Sequence, residues 1–219
     1  LGEVGLDGSI RPIPGILPAV KAAADAGHSR VVVPAQNMHE AALIPGIQVS
    51  GFRCLAEIFV ALGASAENLK YPPESVREQP TAEIPEHGIP SDMSDVAGQA
   101  QGRFALEIAA AGGHHLLFTG PPGSGKTMLA ERLPGILPPL DDDAAMEVTA
   151  IRSLTAGGTP LRELVRTPPF EAPHHSASAP AILGGGSGIP RPGCVSKAHR
   201  GVLFLDEAPE FKRTVLDSL

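Results

Sequence analysis

The chain has 219 residues, 42% of them hydrophobic and 19% charged, with a net charge of −7. That composition supports a buried core in one or two domains, and it excludes both a disordered chain and a basic nucleic-acid-binding module. No run approaches the roughly 18 apolar residues of a membrane span, and the first residues lack the basic, apolar and cleavage segments of a signal peptide. No membrane partner is expected, and a bacterial-type cytoplasmic location is the default. Cys54 and Cys194 lie far apart without C-x-x-C spacing, so they read as ordinary thiols rather than as a disulfide or metal site.

In chain order, the opening "LGEVGLDGSIRPIPG" lacks an initiator Met and reads as strand, Asp7-Gly8 turn, strand, because Asp-Gly between apolar flanks suits a turn with positive φ. "ILPAVKAAADAG" predicts a helix stopped at Gly27, "RVVVPAQN" a short buried strand, and "IQVSGF" and "LAEIFVAL" another strand and helix. These make a small α/β unit over residues 1–66. His28 and His39 stand alone in it and read as surface or capping residues. Residues 67–93 change texture: Pro72, Pro73, Pro80, Pro85 and Pro90 alternate with Glu74, Glu78, Glu83 and Glu86. Such a segment buries too little apolar surface to offset its ordering entropy and reads as a linker.

A second α/β unit is expected over 94–219. "AQGRFALEIAAAGG" predicts a helix closed by glycines, and "HHLLFTG" predicts a short apolar strand. The eight residues from that last glycine, Gly120, Pro121, Pro122, Gly123, Ser124, Gly125, Lys126 and Thr127, match G-x-x-x-x-G-K-[ST] in full and run into a helical "TMLAERL". Glycines let successive N–H groups turn inward onto phosphates, and a helix N-terminus adds partial positive charge. The pattern predicts an ATP site in which Lys126 reaches the β and γ phosphates and the Thr127 hydroxyl ligates Mg2+.

Further on, "GVLFLDEAPEF" places four apolar residues, Val202 to Leu205, before Asp206 and Glu207. That is the pattern of a buried parallel strand whose carboxyl end meets a nucleotide. Asp206 is expected to hold Mg2+ and Glu207 to polarise the attacking water. Lys126 and Asp206 lie 80 positions apart, far beyond the roughly 10 to 12 residues of a minimal crossover, so material is inserted between them. It includes a helix capped by Asp141, Asp142 or Asp143, with Met146, Val148, Ile151 and Leu154 as its apolar side. A loop-rich stretch, "PPFEAPHHSASAPAILGGGSGIPRPGCVSKAHRG", follows. From Ala150 onward basic residues outnumber acidic ones 8 to 6, which makes Arg191, Lys197 and Arg200 the candidates for DNA contact.

"AAAGGHHLLFTGPPGSGKTMLAERLPGILPPL" together with "APHHSASAPAILGGGSGIPRPGCVSKAHRGVLFLDEAPEF" resembles the bacterial YifB/ComM family of Mg-chelatase-like AAA+ ATPases. "DVAGQ", Asp95 to Gln99, resembles the AAA+ segment that encloses adenine, adding Val96 and Gly98 to the nucleotide-contact candidates. The first 66 residues resemble the end of a Lon-protease-type domain. The implied architecture is α/β: a small Lon-like α/β fragment, then a truncated P-loop AAA+ domain with a parallel sheet. The resemblance also implies a ring, a homo-hexamer, with ComM-type helicase and branch-migration activity on DNA. The alternative it leaves open is a chelatase-type ATPase that remodels a protein partner for metal insertion. The family's sensor asparagine, arginine finger and C-terminal lid have no counterpart here, and the last residues read as helix interior, so the sequence is expected to be a fragment that hydrolyses ATP poorly by itself.

Two positions depart from the related patterns. Ala19 stands where Lon-type proteases carry the dyad lysine, and the nearby Lys21 is two helical positions away, rotated by about 200 degrees. Peptide cleavage is therefore not expected. Cys194 stands where the family pattern leads one to expect glutamate. His174 and His175 in "APHHSAS" leave metal binding, nucleic-acid contact and turn capping open, although no carboxylate or cysteine stands at ligand spacing. His114 and His115 read as structural.

Overall fold

The computed structural model describes residues 1–73, 92–155, 161–186 and 190–219. Most of the expected linker, residues 74–91, lies outside the described residues, as do 187–189 of the loop-rich stretch. The chain is α/β throughout and forms two compact units.

In the first unit, β1 (Glu3–Val4) and β2 (Ile10–Arg11) pair antiparallel with Val4 opposite Ile10. Asp7 and Gly8 make the turn as the sequence predicts: Gly8 sits at φ 82, and Asp7 Oδ1 accepts from Ser9 N at 3.1 Å and Ser9 Oγ at 2.6 Å. Helix α1 (Ile16–Asp25) buries Ile16, Leu17 and Val20. It stops at Gly27, φ 85, where the Gly27 and His28 amides donate to the Ala24 and Ala23 carbonyls; this doubly bonded glycine stop satisfies the last orphan carbonyls. β3 (Arg30–Pro34) then pairs in parallel with β4 (Gln48–Phe52), and a crossover containing α2 (Met38–Ala41) joins them. Helix α3 (Leu55–Ala61) follows β4. The sequence predicts a buried β3, but only Val33 and Pro34 are buried, and Val32 is 39% exposed. Burial is confined to the carboxyl end of the strand, where the consecutive Val33 and Pro34 point to opposite faces.

The crossover is held by a satisfied polar group. Asn37, 1% exposed, accepts the Ile13 amide at 3.0 Å and donates to the Ile13 carbonyl at 3.2 Å. Residues 149–155 and 161–164 also belong to this first unit. There the Gly15 amide donates to the Ser153 carbonyl at 3.1 Å, and the Leu161 amide donates to Glu40 Oε2 at 3.4 Å. Burial pushes the Glu40 carboxyl above the usual carboxylate range.

The second unit comprises the described parts of 86–148 and 165–219. Its helices are α4 (Ala100–Gly112), α5 (Lys126–Ile136) and the start of α6 (Asp142–Thr155). β5 (Phe170–Glu171), α7 (Ala179–Leu183), α8 (Cys194–Lys197), β6 (Val202–Leu203) and α9 (Arg213–Leu216) complete it. β5 and β6 pair in parallel, Phe170 opposite Val202. Two cores organise the unit. Met93, Val96, Leu106 and Leu129, with Phe118 and Leu133 against them, fix α4 and α5 around the glycine-rich loop. Ile182, Phe211 and Val215, with Leu205 and Leu216 packed on them, lie under the end of β6. Truncating a fully buried leucine such as Leu106 costs about 2–5 kcal/mol, so the first core holds the loop in place.

Three local expectations are corrected. "HHLLFTG" forms no ladder among the described residues, and Leu117 is 81% exposed. An apolar run becomes a strand only where a neighbour takes its N–H and C=O groups. The strand expected over Val202 to Leu205 is a ladder at Val202–Leu203, prolonged by the Phe204 amide on the Glu171 carbonyl at 2.8 Å; Leu205 turns away into the second core. On α6, Asp141 caps as expected, its Oδ1 accepting the Ala144 amide at 2.8 Å. The buried side of that helix, however, is Ala145, Val148, Thr149 and Ser153, while Leu154 is 46% exposed. Small side chains let the helix backbone approach its neighbours, a contact that a count of apolar residues overlooks.

Candidate nucleotide-binding site

The loop from Gly120 to Thr127 turns through two positive-φ glycines, Gly123 at 77 and Gly125 at 83, and delivers the chain into the 11-residue α5. Gly125 is the helix N-cap, so the amides of the first turn after it have no intrahelical acceptor and face the loop. Lys126 Nζ donates to the carbonyls of Gly120 and Pro121, each at 3.0 Å, and lies 3.5 Å from Ser124 Oγ. Its ammonium therefore spans the mouth of the loop. Gln99, itself in the left-handed region at φ 52, donates from Nε2 to the Ser124 carbonyl at 2.7 Å and props the far side. At φ 83 Gly125 occupies the left-handed region that favours glycine, and a Cβ there would also stand 3.0 Å from that Gln99 nitrogen.

Asp206 lies at this mouth. Its Oδ2 accepts from Thr127 Oγ1 at 3.0 Å, and its Oδ1 accepts from the Glu207 amide at 3.0 Å. The second bond is possible because Glu207 adopts φ 52, a conformation unusual for a residue with a side chain. A hydroxyl and a carboxylate side by side are hard oxygen donors of the kind Mg2+ uses, completing its shell with water and phosphate oxygens. Among the described residues, no group of three or more His, Cys, Asp or Glu side chains is arranged to hold a metal.

The remaining candidates fall in distinct places. Val96, 2% exposed, packs in the first core and turns its carbonyl to Arg103 Nη1 at 3.5 Å; Gly98 provides the turn at φ 71 just before Gln99. Pro121 and Pro122 form the exposed lip of the loop. Arg200 is committed to Glu147, Nε to Oε2 at 2.9 Å, and His199 Nε2 lies 2.9 Å from the same oxygen. These two partners hold the Glu147 carboxyl down at about 2, Arg200 first. Lys197 ends α8, and the backbone of Arg191 bridges to that of Gly185; neither side chain has an ion pair among the described residues. Cys194 sits by Glu171, and burial, with that carboxylate's charge, pushes its thiol up; both cysteines are free.

Two contacts escape a motif reading. Gln99 lies in the quoted "DVAGQ", but only the fold carries its amide to Ser124. His175 stands 3.5 Å from Glu207 Oε2, and no spacing rule links the double histidine to the acidic pair. Lys21, which the sequence places away from the Ala19 position, is bound to Asp25 at 3.0 Å on the surface of α1.

The family model for "Magnesium chelatase, subunit ChlI" matches residues 92–219, and that for "Subunit ChlI of Mg-chelatase" matches residues 1–37. An uncharacterized protein of Mycobacterium tuberculosis strain H37Rv is 52% identical over 228 residues, covering 100% of this chain and 42% of its own length. YifB of Escherichia coli K12 is 45% identical over 220 residues, covering 100% of this chain and 41% of its own. The competence protein ComM of Haemophilus influenzae is 42% identical over 219 residues, again covering 100% of this chain and 42% of its own. The chain thus spans about two fifths of the length of these relatives. No helix among the described residues is long and apolar enough to cross a membrane. Since one family model covers the whole second unit from residue 92 and the likeness to YifB and ComM runs the full chain, the chain belongs to the Mg-chelatase-like YifB/ComM family of AAA+-type ATPases.

Proposed function

We propose that this chain carries the Mg-ATP site of an ATP-hydrolysing motor that acts on DNA as a ring of identical subunits. The observation behind the nucleotide half is the 3.0 Å bond from Thr127 to Asp206 beside a glycine loop that opens a helix. The amides of Gly123 to Thr127 and the positive end of α5 take the phosphates. Lys126 exchanges the carbonyls of Gly120 and Pro121 for the β and γ phosphates, a charged partner for a neutral one. Thr127 and Asp206 hold the Mg2+, which supplies charge neutralisation on the phosphate oxygens. Glu207 orients the attacking water and receives its proton, and the turn at Val96 and Gly98 borders the base.

The DNA half rests on the competence protein among the relatives and on the loop-rich stretch that carries Arg191 and Lys197. The description of the matching family model favours a second reading, a chelatase-type ATPase that remodels a protein partner. Peptide cleavage forms no part of either, given Ala19 and the pairing of Lys21 with Asp25. ATPase assays on the intact protein with and without DNA test the proposal. Glu207→Gln is expected to bind Mg-ATP and lose turnover, whereas Lys126→Ala loses binding itself. Full turnover by Glu207→Gln sinks the assignment, and a parent that neither binds nor responds to DNA favours the partner-remodelling reading.

A further inference from the structure

An aromatic stack stands beside the glutamate that follows Asp206. His175 Nδ1 lies 3.5 Å from Glu207 Oε2. Its ring is 4.1 Å from that of His174, and it meets the Phe211 ring edge-on at 6.4 Å. Both neighbours are anchored. Phe211 is 4% exposed and belongs to the core with Ile182 and Val215. His174 Nδ1 accepts the Ser176 amide at 3.2 Å and lies 2.7 Å from Ser176 Oγ. His175 is thus a stiff group at the edge of a packed core, while the Glu207 side chain it faces is 68% exposed.

We propose that His175 is a positioning residue for hydrolysis. It binds one carboxylate oxygen of Glu207 and leaves the other to receive the water. An exposed glutamate without a partner spreads over many rotamers, and ordering a chain of that length costs side-chain entropy. A buttressed imidazole provides that order in advance and acts on the chemical step rather than on nucleotide binding. The inference rests on the reading of Glu207 as the group that orients water.

The test is a steady-state ATPase series on the intact protein. His175→Phe keeps a ring against His174 and Phe211 but has no donor; His175→Asn loses the ring and keeps an N–H near the Nδ1 position. His175→Phe is expected to lower kcat about 10-fold with KM for ATP within about 2-fold, and His175→Asn to recover to within about 3-fold of the parent. A Phe variant at the parental rate, an Asn variant as slow as the Phe variant, or equal losses in kcat and ATP affinity would each overturn the inference. A Glu207→Gln variant without turnover beside an unaffected His175→Phe overturns this inference alone, whereas a fully active Glu207→Gln overturns the hydrolysis reading beneath it.

Discussion

The Thr127 hydroxyl donates to Asp206 Oδ2 at 3.0 Å across 79 positions of sequence. Neither side chain is held by covering residues, so the contact is made by the elements that carry them: α5 behind the loop and the end of β6. Thr127→Ser keeps the hydroxyl and is expected to bind Mg-nucleotide within about 3-fold of the parent. Thr127→Val keeps the shape and loses the oxygen, and is expected to weaken Mg-dependent nucleotide binding at least about 10-fold, the scale of a charge-assisted hydrogen bond or metal ligand. Fluorescent-nucleotide titration with and without Mg2+ separates the two, since binding without Mg2+ should change little. A Val variant that binds Mg-ATP as the parent does would remove Thr127 from the metal's shell.

Gly201 supports the same geometry from behind. It directly precedes β6, and a Cβ there would collide with the carbonyl and ring of Pro169, which immediately precedes β5. The Val202 amide bonds that same carbonyl at 2.8 Å, so the first rung of the ladder needs the close approach. Gly201→Ala is therefore expected to cost about 1–3 kcal/mol by overpacking and to weaken nucleotide binding by displacing Asp206. Denaturant unfolding and nucleotide titration measure the two effects, and an alanine variant with parental values in both would show that the strands tolerate the shift.

Much of the fold was legible because it depends on local chemistry. Asp7-Gly8 turns the hairpin, Gly27 stops α1, Gly113 stops α4 at φ 64, and Asp141 caps α6. What the sequence left hidden depends on partners distant along the chain. The run at Leu116 and Leu117 has strand composition but no ladder among the described residues, and α6 buries Thr149 and Ser153 in preference to Leu154. At the site, the loop and the acidic pair announce themselves by spacing, whereas Gln99 on Ser124, His175 near Glu207 and the commitment of Arg200 to Glu147 arise only when separate segments meet. A charge count treats Arg200 as free for a ligand, but its geometry assigns it a carboxylate.

That carboxylate leads to a pH prediction. The Glu147 carboxyl is held at about 2, below its ordinary value of 4.5, chiefly by hydrogen bonding to Arg200 and then to His199. A folded-state value below the unfolded one means that the contribution is fully present above about 4.5 and is lost as pH falls through about 2. All three groups are exposed, so salt is expected to weaken the effect. Between about pH 5 and about pH 2.5, unfolding midpoints should fall more steeply for the parent than for Glu147→Gln. Parallel curves would show that the cluster contributes nothing measurable.

The last prediction concerns what the motor grips. A sequence-independent hold on DNA rests on phosphate contacts, and each one lost lowers both affinity and the steepness of its salt dependence. Arg191 and Lys197 are expected to contribute as a pair, because neither has an ion pair among the described residues, whereas Arg200 must first leave Glu147. Arg191→Ala with Lys197→Ala is expected to weaken DNA binding several-fold, reduce the salt slope by about 1 per contact and abolish DNA stimulation, with basal ATPase intact. Arg200→Ala by itself mixes the two effects and is expected to disturb the Glu147 cluster as well, which its pH profile reveals. The measurement is a salt titration of single-stranded and branched DNA binding for parent, double and Arg200 variants. A double variant with unchanged affinity and slope places the DNA contacts elsewhere on the chain, and an equal loss of basal ATPase would make these two side chains structural rather than DNA-binding.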